Sequence, residues 1–584
     1  MKRIYFLLFG LIILSSCKTD PKQDESVNWK RTTNEVILRL DESPDRLNPM
    51  LATTAYATEV NMQVFSYLLS IDPKTLEFIP QLAKAWPEEK EMTEGPHAGQ
   101  MANTFEIFEE AVWDDGTPVT GNDYVFTVKT VFVPQLPTQR VRPYFSMIKD
   151  IEVDGKNPKR FTVYTEKTDN VVETISNTMF VMPAHIYDAQ NFLAEIPLTD
   201  FLDEQKMEGL SQSNERIGQF AEEFSSPKFS HDVNSISGSG PYRIESWETG
   251  KEVVLIKKEN WWGTALAGKY PSLSAKPDKL IYKPIVDNVT AISALKSEEL
   301  DAMANIDPND FKELREDSLL NSIYNFETPP FLGYYMLFLN GRSDKLSDKR
   351  VRKALAHAID VDQIIETVYA GLAVRFAVPV HPSATYYKSD LQPPAYDIDL
   401  AKKMLKEAGW EDTNNDGVVD KDIDGERVEM ELEFQYTGQS ERQKTLALLI
   451  QQTAKKAGFA IEPKALDYAV LLQNTKTGDY DIAPGGRSWP PVSWNPKQNW
   501  HTGGAGRVGF GNAETDALID EIVKTTDKEA KKKLYWQLED IIYDEQPEIY
   551  LIVPVSRVIV HKRFNWDASP MLPGYFPNYF ELKD

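Results

Sequence analysis

DKRVRKALAHAIDVDQIIETVYAGLA, residues 348–373, is the stretch that most directly sets the fold class. After Ser347 the apolar residues Val351, Ala354, Leu355, Ala358 and Ile359 return at spacings of three and four. That period places them on one face of a strongly amphipathic helix. A helix with one apolar stripe must bury it against another layer of structure. Towards the C-terminus, helical patterns recur at 398–408, 440–457, 514–524 and 527–543. Strand patterns recur at 428–435 and 549–561. Towards the N-terminus, 241–257 and 150–165 are strand-rich, Thr104 to Phe108 reads as a strand, and Gly121 to Phe132 reads as a helix capped near Asn122. Residues 35–40 (EVILRL) alternate as a strand, and 58–69 read as a helix with Val60, Val64, Phe65 and Leu68 on one face. The run after Trp86 (PEEKEMTEGPHAGQMAN) reads as a surface loop or insertion, and 197–235 as a polar surface helix and loop. No repeat of fixed period is present. Strands and helices mixed over this length predict a multi-lobed α/β protein.

The composition narrows the class of function. A chain of 584 residues exceeds what one core usually holds, so two or three domains are expected. Its net charge is −25, which makes it a poor partner for phosphate backbones and excludes nucleic acid as a partner. A single cysteine rules out a disulfide scaffold and any cysteine-based zinc or iron–sulfur site. That cysteine closes MKRIYFLLFGLIILSSC: basic Lys2 and Arg3, an apolar run from Ile4 to Leu14, then Leu14, Ser15, Ser16 and Cys17. The apolar run is too short to span a bilayer and suits a signal-peptide core. The last four residues resemble the lipobox of bacterial lipoproteins. By that resemblance, residues 1–16 are removed and Cys17 carries the lipid, with 17–34 as a polar tether. The expected location is the cell envelope, with the protein anchored to a membrane through Cys17.

Motifs for catalysis and cofactors are sparse. Gly263 to Lys269 (GTALAGK) fits seven positions of a phosphate loop, but Tyr270 stands where a small hydroxyl is needed. It reads as a loop. Asp412, Asn414, Asp416, Gly417 and Asp420 follow most of an EF-hand pattern, yet Ile423 replaces its bidentate acid. A polar turn is the first reading and a calcium site the second. Seven histidines show no HExxH spacing, and no GxSxG elbow occurs. Asp114 and Asp115 beside Gly116 read as turn chemistry. No catalytic set, cofactor or metal is expected. Trp489, Trp494 and Trp500 crowd a segment with Pro490, Pro491 and Pro496. These rings either pack beneath a loop or line a ligand site. Trp86, Trp113, Trp247, Trp261 and Trp262 read as packing.

Four segments together resemble one family. They are VWDDGTPVTGNDYVFTVK (112–129), SGSGPYRIESWETGKEVVLIKKENWWG (237–263), the 348–373 helix already quoted, and DIDLAKKMLKEAGW (397–410). In this order they resemble the oligopeptide- and dipeptide-binding family, the large extracellular solute-binding proteins of ABC importers (family 5). The resemblance runs from about residue 35 to the C-terminus. It implies the periplasmic-binding-protein-like fold (class II, large cluster): two lobes, a two-strand hinge and an extra subdomain. Lobe I would take 35–325, with the subdomain at roughly 75–230. Lobe II would take 328–548, and the C-terminal segment 550–584 would return to lobe I. Ligand would bind between lobes that close by hinge motion.

The resemblance also implies a peptide or other small solute as ligand, an ABC permease complex as partner, and a monomer with no enzymatic activity. Peptide binders of this family pair the ligand backbone with protein strands. One such segment aligns with Thr53, Thr54, Ala55 and Tyr56, the other with Gly485, Gly486, Arg487, Ser488 and Trp489. The glycines would admit close approach of a ligand. Tyr436 and Gln439 match a further ligand-near stretch, and Trp494 falls in the tryptophan cluster. Well-known members place an Asp after the second segment to hold the peptide ammonium. Here the segment reads SWPPVSWNP, with no acid. Arg487 offers a planar fork suited to a carboxylate, either the ligand's or that of a salt bridge. Two readings compete with the peptide: an oligosaccharide ligand on the tryptophans, and a surface receptor that signals without transport.

Overall fold

The computed structural model describes residues 30–168, 170–489, 495–504, 506–525 and 527–583. Cys17, Trp494 and most of the expected tether lie outside them.

The 348–373 stretch forms two helices, not one. Asp348 accepts the Arg350 N–H and starts Lys349–Ala358, while Asp360 accepts the Gln363 N–H and starts Val361–Tyr369. The second carboxylate caps its own helix, which breaks the run at Ile359. Val351, Ala354, Leu355, Ala358 and Ile359 are all buried, as the period requires. Arg352, on the same helix, is buried too. It donates to the carbonyls of Leu346, Ser347, Glu545 and Gln546, and so caps the C-terminal end of the Lys528–Glu545 helix.

Among the described residues the strands form two large sheets. The first has seven strands, in the order Tyr324–Glu327, Val558–His561, Ala302–Ala304, Glu35–Leu40, Lys279–Pro284, Glu252–Lys257, Tyr242–Glu248. Glu35–Leu40 runs parallel to Lys279–Pro284 along its whole length. The second has six, in the order Ala373–Val374, Glu548–Pro554, Gly333–Leu339, Ile482–Ser488, Glu431–Thr437, Ala460–Leu466. A four-stranded antiparallel sheet of Glu88–Glu91, Met101–Glu106, Arg160–Thr165 and Ile148–Val153 stands apart from both. The chain crosses between the two large sheets twice, at 328–332 and at 555–557, and the crossings pair through a bridge from Pro330 to Val555. The expected boundary at 550 falls inside Glu548–Pro554, a strand that belongs wholly to the second sheet and is buried at all seven positions. The return to the first sheet therefore begins at 555.

Two other expectations shift. The helix expected over 58–69 is Ala55–Val64, because the Thr54 hydroxyl accepts the Ala57 N–H and starts it early. The polar stretch 197–235 carries a hidden core face: Ile217, Phe220, Phe224 and Phe229 are buried against the first core. Trp86, expected to pack, is 43% exposed.

The SGSGPY segment is scaffold. The Gly240 N–H donates to the Val64 carbonyl, and a side chain at Gly238 would strike that same oxygen. Trp261 and Trp262 both donate their indole N–H to the Ser239 carbonyl at 2.9 Å. Asp114, the first acid of the Asp-Asp-Gly turn, accepts from Ser237 and pairs with the half-buried Lys258 at 2.5 Å. That turn thus locks two distant segments together. Gly263 to Lys269 is a run of turns with no α-helix behind it, only the 3-10 turn Pro271–Leu273.

Candidate functional site

In α/β sheets, ligands favour the crevice at the carboxyl ends of parallel strands. In the second sheet those ends belong to Ala460–Leu466, Glu431–Thr437 and Ile482–Ser488. The last of these strands pairs with Gly333–Leu339 from Ile482 through Ser488 on one side. On the other side it meets Glu431–Thr437 only at Phe434 opposite Ile482. Beyond that point its outer edge has no strand partner among the described residues.

A cavity of about 210 Å³ opens beside this edge. Pro484, Gly485 and Gly486 form its floor, with Tyr335, Tyr369 and Tyr468 among its walls. Arg442 and Arg507 line it, and no carboxylate does. Each guanidinium lies over an aromatic ring: Arg442 at 5.5 Å from the Tyr335 centroid, Arg507 at 5.4 Å from that of Phe338. These contacts hold the cations without neutralising them. Neither forms an ion pair with the described residues. Sequence reading missed both, because nothing local marks an arginine as unpaired.

The residues expected to bind ligand are spread over this cavity and beyond it. Gly485 and Gly486 reach its floor, but their bareness serves the protein's own packing. A Cβ at Gly485 would meet the Phe338 ring at 2.6 Å, and one at Gly486 the Tyr335 ring at 3.1 Å. Ser488 is exposed at the end of the open edge. Arg487 is not a free fork. Its two terminal nitrogens donate to both oxygens of Glu548 at 2.6 and 2.5 Å, and Glu548 is fully buried. Despite desolvation, that carboxylate keeps the guanidinium firmly charged. Arg487 is thus in a salt bridge, but not the surface or inter-lobe one expected: the pair is buried inside one sheet. Trp489 is 5% exposed and Trp500 1%, both in the core between the second sheet and its helices. Tyr436 also points into a core, since its place on the strand turns it away from the cavity. Gln439 is an exposed turn residue, next in the chain to Ser440, which caps the Glu441–Ala454 helix carrying Arg442.

Thr53, Thr54, Ala55 and Tyr56 form no strand. Thr53 and Thr54 donate their hydroxyls to Asp45 at 3.0 and 3.1 Å, and Ala55 and Tyr56 open the helix that follows. These bonds, outweighing partial desolvation, hold Asp45 below the usual carboxylate range. One turn further on, desolvation and the charge of Asp41 push Glu59 up to about 8. Asp41 directly follows Glu35–Leu40, so this acidic group sits at the carboxyl end of a parallel strand of the first sheet. The weak cation candidate is satisfied internally. Asp412 accepts from the N–H groups of Asp416 and Gly417, and Asn414 donates to Asp416. Asp416 also accepts from Val418, while Asp420 accepts from Thr413 and pairs with Arg427. These acids bond the loop itself, and their oxygens form no converging group of three among the described residues.

The profile of the bacterial extracellular solute-binding proteins, family 5, matches residues 77–507. The chain belongs to that family. Among curated relatives, the oligopeptide-binding protein AppA of Bacillus subtilis is 25% identical over 561 residues, covering 94% of this chain and 92% of AppA. The dipeptide-binding protein of Escherichia coli is 22% identical over 529 residues, 87% of each chain. Among solved structures, B. subtilis AppA in complex with a nonapeptide aligns with a TM-score of 0.65 and 22% identity, over 94% of this chain and 99% of that one. NikA of Brucella suis with Fe(III)-EDTA aligns with a TM-score of 0.74 and 18% identity, over 94% and 100%. The two sheets and paired crossings are thus the periplasmic-binding-protein-like fold of an extracellular solute-binding protein. Among the described residues no helix is long and apolar enough to cross a membrane.

Proposed function

We propose that this family 5 protein captures a peptide-like solute between two lobes and delivers it to an ABC permease. Lobe I is built on the first sheet with the subdomain at roughly 75–230, lobe II on the second sheet from 328 to about 554. The observation that carries the reading is the open edge of Ile482–Ser488 beside a cavity holding two unpaired guanidiniums. An extended peptide backbone supplies the missing strand hydrogen bonds, and a peptide carboxylate supplies the missing anion. The names of AppA and the dipeptide-binding protein support the same class of ligand. The acids at the end of the first sheet, Asp41 and Glu59, are candidates for the ligand's cationic end, in place of the Asp absent from 488–496. Cys17 would hold the protein to a membrane by its lipid, as a monomer in the cell envelope.

The oligosaccharide reading loses support, because Trp489 and Trp500 are core residues and not an exposed stacking platform. Native mass spectrometry of the purified protein, followed by calorimetry with a peptide library and with oligosaccharides, tests the proposal. Peptide heats that weaken with salt and in an Arg442→Ala/Arg507→Ala variant are expected. A response to sugars alone would overturn it.

A further inference from the structure

The four-stranded sheet carries a cluster that solute capture does not use. His97 sits in the loop between Glu88–Glu91 and Met101–Glu106, within the segment read as an insertion. Asp150 and Glu152 lie on Ile148–Val153. The Nδ1 of His97 is 3.1 Å from the Gln100 side-chain carbonyl oxygen. A carbonyl only accepts, so the ring proton sits on Nδ1 and the lone pair on Nε2. Nε2 faces Glu152 Oε1 at 3.5 Å and Asp150 Oδ2 at 3.8 Å. The other carboxylate oxygens are occupied: Asp150 Oδ1 accepts the Ile151 N–H, and Glu152 Oε2 accepts the Tyr164 O–H, both at 2.8 Å. The Tyr164 ring stacks on the imidazole with centroids 3.6 Å apart. Each ligating atom is therefore the one its side chain has left over, and all three lie within 4.8 Å of one another.

Without an ion this arrangement is poor. A protonated ring would pair with both acids only at 3.5 and 3.8 Å, ion-pair distances too long for sound hydrogen bonds. A neutral one would set its lone pair against two carboxylates. A divalent cation resolves both. With metal–nitrogen and metal–oxygen bonds of about 2.0–2.2 Å, tetrahedral ligand atoms stand about 3.4 Å apart, close to the spacing seen. One imidazole with two carboxylates suits a borderline first-row ion and not calcium, which takes oxygen alone. Gln100 and Tyr164 are the outer partners that such sites use to orient their ligands.

We propose that His97, Asp150 and Glu152 bind a divalent first-row transition-metal ion of the zinc type, pinning the 92–100 loop to the sheet with one position left to solvent. Protein purified without a histidine tag, stripped with chelator and titrated with ZnCl₂ by calorimetry, tests this. One saturable equivalent and a raised Tm are expected. His97→Ala should abolish both with the far-UV circular dichroism unchanged. Gln100→Ala and Tyr164→Phe should weaken binding roughly 10–100-fold. Arg442→Ala/Arg507→Ala, which alters the solute cavity, should leave zinc binding unchanged. No zinc heat, or zinc heat that survives His97→Ala, would overturn the proposal.

Discussion

Two cavities flank the second sheet. The larger, about 570 Å³, lies where Arg352 and the Lys528–Glu545 helix meet the 508–515 segment. The smaller, about 210 Å³, lies beside the open edge of Ile482–Ser488. Charge abounds around the first, and most of it is spent. Arg352 is saturated by backbone carbonyls, and Asp544 is paired with Lys349 and Lys353 at 2.6 and 2.5 Å. Around the second, two cations and one strand edge are left over. Volume does not distinguish a binding site from a packing gap. Unfilled hydrogen-bonding capacity does, because a group with no protein partner stays free to meet a ligand; Arg442 is exposed and Arg507 half-buried, so water serves them meanwhile.

The contrast is sharpest at its arginines. Arg487→Ala should be the most damaging change, since it strands Glu548 as a buried, unpaired carboxylate. A loss of about 3–5 kcal/mol by urea denaturation is expected. If stability held and only ligand affinity fell, Arg487 would belong with Arg442 and Arg507 instead.

Near the larger cavity, Glu539 tests the paired region by pH. Its side chain is fully buried, one oxygen has no partner, and desolvation pushes its pKa up to about 8. The folded state thus holds a proton that the unfolded chain releases near pH 4.5. That contribution is complete below pH 4.5 and is lost as pH rises towards 8. Glu539→Gln should flatten this loss and be more stable than the parent at pH 8 by about 2 kcal/mol, read from urea melts at pH 5 and pH 8. Parallel pH profiles would remove Glu539 from the account.

Arg442→Ala and Arg507→Ala should leave stability within about 0.5 kcal/mol, as neither has a partner to strand. Each should weaken binding of an acidic peptide about tenfold, or about 1.4 kcal/mol by calorimetry. Equal loss for a neutral amidated peptide would show that they shape the cavity without meeting a carboxylate.

Much of the fold was legible. The 348–373 period predicted the buried face correctly, and only the Asp360 cap, hidden inside an apolar run, divided it. GPY and the tryptophans after it fixed a scaffold contact, because glycine at 238 and 240 is demanded by the Val64 carbonyl. Of the expected site residues that are described, only Gly485 and Gly486 line the cavity beside the open edge. The 485–489 segment does border a cavity, yet its one charged side chain is consumed by a residue 61 positions away.

Composition and local pattern determined what depends on neighbours in the chain: strands, helices, the lipobox-like N-terminus, the absence of catalytic motifs and the α/β class. Tertiary structure alone decided which polar groups are paired. Arg487 meets Glu548, Trp489 enters the core, and Asp150 and Glu152 converge on His97 from another strand. Pairing is a property of distances between segments remote in sequence. An arginine that is satisfied and one that has no protein partner read identically until the chain has folded.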